Sequence, residues 1–355
     1  MRDPWNDSEL VERIRAHERT ASRRAPLNAA LSGVIANDRS LHTLLAHAPD
    51  AQQYPVLLLA AIHYLVLAEP DHDLARWYPN LDADHRDPQD PGLASTLADF
   101  VNDRAPSVLE LLATRRVQTN EVGRCALLLV GFDRVTPPTH PIAQIDVGTS
   151  AGLTTLLPRF GFRYDDGPVL GNGRPLITCS TRGDQRAPSA IPNMAPGRGI
   201  DLDPIDIGHP DDARWLQACC WPDQIDRFER LAAAIDIARA EPPDIVTGDA
   251  VELIGPILAA VPADQHPVVT SSWALNYLST EHRLAFIEHL DRAADDRDLS
   301  WVFAESPALT PELPHDPGRA DRHTTALGVV QWRAGVRTVE HVAECHPHGY
   351  WLHWR

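Results

Sequence analysis

At 355 residues the chain is long enough for one large domain or two ordinary ones, and 43% hydrophobic residues are ample for a packed core. A net charge of −17 excludes an extended nucleic-acid footprint, which needs clustered Lys and Arg, though not a small basic pocket. Five cysteines at irregular spacing make no disulfide framework, no apolar run is long enough to span a bilayer, and the first residues hold no apolar signal-peptide core. A reduced, cytoplasmic protein without nucleic-acid or membrane partners is expected.

Up to about Val135 the pattern is helical. Ser8 can cap a helix bearing Leu10, Val11 and Ile14, and further helices fit Leu27–Ile35, Leu41–Ala48, Pro55–Ala68 and Leu93–Leu112. The last helix of this part runs from about Glu121 to Phe132, with Thr119 or Asn120 as its N-cap. Residues 1–135 are therefore expected to form an all-helical N-terminal domain.

From Pro141 the pattern alternates. Strands fit Ile142–Val147, Gly199–Leu202, Asp244–Gly248, Pro267–Ser271 and Trp301–Glu305. Helices fit Leu153–Phe160, Asp211–Ala240, Ala250–Val261 and Thr280–Asp295. Alternation of this kind predicts an α/β domain over residues 136–355 with a parallel, doubly wound sheet. Leu327–Arg333 and Val336–Val342 read as a hairpin, and Gly349–Trp354 has strand character. Residues 161–198, rich in Gly, Pro and Arg, form an insertion, either a lid or a surface elaboration with a short strand at Leu176–Cys179.

The first strand runs into Asp146-Val-Gly148-Thr149-Ser150-Ala-Gly152, a turn of small residues that lets backbone N–H groups approach a ligand. Asp146 suits an ammonium or hydroxyls and disfavours a phosphate, which points to a nucleoside-type cofactor. Asp201, at the end of the second strand, can accept from a ribose diol. Asp201 and Asp203 flank one apolar residue and point to opposite faces, so Asp201 is the favoured one. Asp249, followed by Ala250, can accept from an adenine amine. The fourth strand ends Ser271-Ser-Trp273-Ala-Leu-Asn276-Tyr277, with hydroxyls, an indole and an amide where a substrate would sit. All these positions fall at carboxyl ends of parallel strands, where open α/β sheets bind ligands.

The second half resembles class I S-adenosylmethionine (SAM)-dependent methyltransferases, through the glycine turn, the second-strand acid and the third-strand Asp in that order. The resemblance implies a Rossmann-like, mostly parallel seven-stranded sheet with an antiparallel C-terminal hairpin. It implies SAM as cofactor, with Gly148, Thr149, Ser150 and Gly152 along its methionine side and Asp146 at its ammonium. Asp201 would take the ribose and Asp249 and Ala250 the adenine, with Ser271 beside them. Ser150 departs from the glycine-rich pattern and is tolerable there if its φ is negative. The Asn-Pro-Pro-Tyr/Phe motif of some amino-group methylases is absent. More closely, the whole chain looks like the DUF2332 family of bacterial proteins, through Val117–Arg124, Asp146–Leu153, Gly199–Asp206 and Arg214–Gln224.

Thr119-Asn120-Glu121-Val-Gly-Arg124 begins a helix just before the sheet, so Asn120 and Glu121 would overhang the pocket and Arg124 would bind a substrate carboxylate. The plainer alternative is an N-cap and a surface Arg. Glu121, Tyr277 and Glu305 are the candidate bases, and Asn120, Arg124, Trp273 and Asn276 the candidate substrate contacts. His341, Cys345, His346, His348 and His353 have ligand chemistry without a recognised metal spacing, so no metal is expected. The leading expectation is methyl transfer to a small molecule by in-line displacement. The alternatives are a SAM- or nucleoside-binding protein without catalysis and, third, an NAD-dependent oxidoreductase.

Overall fold

A computed structural model describes residues 7–135, 139–171, 173–316 and 324–355. Residues 1–6, read above as free of a signal peptide, and residue 136, where the second domain is expected to begin, lie outside the described residues. The first elements are α1 (Asp7–Ala21), α2 (Pro26–Asn37), α3 (Arg39–His42), α4 (Pro55–Ala68), α5 (Gly92–Asp103), α6 (Ala105–Thr114) and α7 (Cys125–Arg134). Then come β1 (Ile142–Val147), β2 (Gly161–Tyr164), β3 (Leu170–Gly171), β4 (Leu176–Arg182), β5 (Arg198–Asp201), α8 (Pro210–Ala218) and α9 (Ile225–Ala240). The chain closes with β6 (Asp244–Thr247), α10 (Ala250–Ala260), β7 (His266–Ser272), α11 (Thr280–Ala293), β8 (Leu299–Glu305), β9 (Thr325–Arg333), β10 (Val336–Cys345) and β11 (Trp351–Trp354).

Two compact units result: residues up to Thr119 with His209–Ala232, and Asn120–Gly208 with Ala233–Arg355. This differs from the expected single boundary after residue 135. Asn120–Val135 belongs with the sheet because α7 packs on it so closely that a Cβ on Gly131 would overlap Val302 of β8. His209–Ala232 belongs with the helices. Asp223 supplies the start of α2 with its missing cap, its carboxylate accepting from Leu27 N at 2.7 Å and Asn28 N at 3.0 Å.

The helical unit buries Leu10, Ile14, Leu57, Trp77, Phe100 and Trp215 in one core. α4 is apolar almost all round and accordingly buried, and Pro55 in its first turn sacrifices no helical hydrogen bond. Two expected helices are split. Leu93–Leu112 divides at Arg104, just before Pro106, and Asp211–Ala240 divides around Trp221-Pro222, since proline cannot donate to a continuing helix.

The second unit is built on one mixed sheet of order β3-β2-β4-β11-β10-β9-β8-β7-β1-β5-β6. β6, β5, β1, β7 and β8 are parallel, while β9, β10 and β11 alternate. The sheet has eleven strands, not seven. The insertion supplies β2, β3 and β4, which join the sheet through the β4–β11 pair. A second correction concerns the connection after β1. In place of a helix over Leu153–Phe160 there is a 3-10 segment, Leu153–Arg159, interrupted by Pro158. Thr155 Oγ1 there donates to Gly152 O at 2.7 Å, a local bond that competes with helical ones. Every residue of β1 is buried, as befits a central parallel strand. Ile145, Val269, Trp301 and Phe303 from the strands pack with Ile254, Phe286 and Leu290 from the helices. Among the described residues no helix is long and apolar enough to cross a membrane.

Candidate active site at the carboxyl edge of the sheet

Strand order reverses at β1, which has β5 on one side and β7 on the other. The turn leaving β1 is left-handed three times: φ is +69° at Gly148, +56° at Ser150 and +73° at Gly152. Gly148 is needed because a Cβ would overlap that of Ala274, and Gly152 because its Cβ would lie 2.6 Å from Pro243 Cβ. Ser150 does not take the negative φ that would make it easy there. Its strain is held by Asp201, whose Oδ2 accepts Ser150 N at 2.7 Å while Oδ1 accepts Asp203 N at 2.9 Å. Thr149 is buried against Gly199 of β5.

Asp146 faces inward. Its carboxylate is 2% exposed and accepts from Thr154 Oγ1 at 2.5 Å and Thr270 Oγ1 at 2.6 Å. Burial raises its pKa, and the two hydroxyls pull it back. Asp249 is half-buried and caps α10 through Val251 N at 2.7 Å, with Ala250 the first helical residue. Ser271 is buried and accepts from Trp301 Nε1 at 3.2 Å. A cavity of about 470 Å³ opens beside the turn, lined among others by Ala151, Ile205, Asp206, Arg239 and Pro243.

On the other side of the reversal lies the end of β7. Trp273 is held at φ +54°, with its N–H on Ala304 O and its indole Nε1 donating to Thr325 Oγ1 at 2.7 Å. Glu305 ends β8, fully buried. Its Oε1 accepts Ala274 N at 3.1 Å and Leu275 N at 3.2 Å, and among the described residues its Oε2 has no hydrogen-bond partner within bonding geometry. Burial raises this carboxyl to about 7, against the backbone donors, the charge of Arg124 and the nearby Ser271 hydroxyl. Asn276 is half-buried, and among the described residues its Oδ1 has no hydrogen-bond partner. Tyr277, by contrast, is 83% exposed.

Asn120, Glu121 and Arg124 are all buried. Asn120 Oδ1 accepts Leu153 N at 3.0 Å, immediately after the turn. Glu121 Oε1 caps Gly123 N at 2.9 Å. Arg124 is no surface residue, and its Nε and Nη1 are committed to backbone: Nε to Pro347 O and Nη1 to Ser272 O, each at 2.9 Å. It ties the end of β7 to the loop before β11. That loop brings His348, which the sequence reading weighed only as a metal ligand, to 3.2 Å from Glu121 Oε2 through Nδ1. The signal was present in His346-Pro-His348-Gly349: Gly349 sits at φ +76°, and a Cβ there would overlap Gly123 O, so only glycine fits. Among the described residues no three His, Cys, Asp or Glu side chains form a metal-holding group.

A family model described as an uncharacterized protein conserved in bacteria matches residues 12–354. The chain belongs to the DUF2332 family. No curated protein matches this DUF2332 chain, so its chemistry rests on the site itself.

Proposed function

We propose that this DUF2332 protein is a SAM-dependent methyltransferase acting on a small molecule, on a Rossmann-like class I methyltransferase core. The observation that carries the reading is the thrice left-handed turn Gly148–Gly152, set where the strand order reverses and opening onto a cavity of about 470 Å³. Counted along the chain without the inserted strands, β6-β5-β1-β7-β8 is the 3-2-1-4-5 order of nucleoside-binding sheets. The four strands beyond β10 are additions to that core.

Two buried oxygens without a hydrogen-bond partner among the described residues, Glu305 Oε2 and Asn276 Oδ1, suit a cofactor that offers an ammonium and hydroxyls. The fit changes the roles expected for two acids. Asp146 and Asp201 build the turn, and Asp249 with the turn backbone is left to meet the nucleoside. Bound there, the cofactor supplies an electrophilic methyl group. The protein orients the acceptor over β7 and β8 and keeps water from the transfer. Titration calorimetry with SAM, S-adenosylhomocysteine and NAD tests this. SAM is expected to bind, Gly152→Trp to abolish binding, and Asp249→Ala to weaken it about tenfold. NAD binding without SAM binding overturns the reading. A second reading, a nucleoside-binding protein without catalysis, is favoured by the internal use of Asp146 and Asp201. Release of S-adenosylhomocysteine against a metabolite pool separates the two.

A further inference from the structure

We propose that His348, oriented by Glu121, is the general base of the site, and that the acceptor is therefore a hydroxyl or amine that loses a proton as it is methylated. The inference rests on the methyl-transfer reading. Glu121 is 5% exposed, whereas the His348 side chain keeps 30% of its surface. A buried carboxylate behind a partly open imidazole is the arrangement by which an acid fixes a base. Nδ1 and Oε2 lie 3.2 Å apart, close enough for an Nδ1–H to face the carboxylate and leave Nε2 as the basic nitrogen.

The surroundings argue against an incidental contact. The His348 loop is fixed at three points: Arg124 Nε on Pro347 O, Gly349 packed on Gly123 O, and His348 N donating to His346 Nδ1 at 3.1 Å. The Glu121 segment is anchored in turn to both strands at the reversal. Asn120 holds Leu153 after β1, and Arg124 holds Ser272 at the end of β7. The dyad is thus attached to the two strand ends between which a ligand would sit. As the acceptor heteroatom forms its bond to the methyl carbon, its proton passes to the imidazole. The electron pair of the broken carbon–sulfur bond stays on sulfur, and Glu121 faces the new imidazolium charge.

The test combines spectroscopy with turnover. Long-range ¹H–¹⁵N spectra of histidine-labelled protein, with His348 assigned through His348→Gln, should show the Nδ1–H tautomer in wild type and its loss in Glu121→Gln. His348→Gln should lower kcat for S-adenosylhomocysteine release at least about 100-fold with the SAM Kd within about twofold of wild type. Glu121→Gln, a positioning change, should lower kcat less and leave KM alone. Full turnover by His348→Gln, or an Nε2–H tautomer in wild type, overturns the dyad while SAM binding stands. A wild type that neither binds SAM nor releases S-adenosylhomocysteine fails the methyl-transfer reading instead.

Discussion

Two corners of one sheet edge spend their polar groups differently. At the β1–β5 corner Asp146 holds two hydroxyls and Asp201 holds two backbone N–H groups. At the β7–β8 corner Glu305 keeps an oxygen without a partner among the described residues, and Glu121 stands behind a partly open imidazole. The first corner is architecture, since its acids hold a strained turn in place. The second places buried carboxyl groups beside a partly open imidazole instead.

The most disruptive test of that contrast is Gly148→Val. It forces a β-branched residue into φ +69° and onto Ala274. A loss of about 4 kcal/mol in urea unfolding is expected. An unchanged midpoint would mean that the turn carries no strain.

Glu305→Gln probes the other corner through pH. Burial raises the carboxyl from 4.5 to about 7. A raised folded-state pKa stabilises the folded chain below the unfolded value, and that contribution is lost as pH climbs to the folded value. The neutral amide does not titrate. The variant should therefore gain on wild type by about 3 kcal/mol between about pH 4.5 and pH 8. Parallel pH profiles of the two proteins would show a charged, solvated Glu305.

The mildest test is Asp201→Ala, which removes the acceptor for Ser150 N and Asp203 N and should cost about 2 kcal/mol. If it abolishes SAM binding at unchanged stability, the division between the corners is wrong.

Much of the frame was legible from pattern. Ile142–Val147 is a strand over the expected residues, and β5 to β8 and the β9–β10 hairpin fall within a few residues of expectation, because apolar runs and turn residues mark them locally. Pro158 could have warned that no helix follows β1. Of the inserted strands only β4 is legible, as Leu176–Cys179, because β2 and β3 are four and two residues long and β4 joins the sheet through β11, about 170 residues downstream. At the site, Asn120, Glu121, Arg124 and Glu305 stood out as buried-edge polar residues. The direction in which Asp146 and Asp201 spend their oxygens depends on Thr154, Thr270 and Ser150, and no spacing rule reports that. His348 was hidden because its partner lies more than two hundred residues upstream.

The inserted strands also decide where the sheet ends. Without them the sheet would end at β11, whose outer rim of N–H and C=O groups would lie open to another chain. With them the rim moves to β3, two residues long and left-handed at Gly171, with Gly173 close behind. So short and bent a margin offers a neighbouring chain little to pair with.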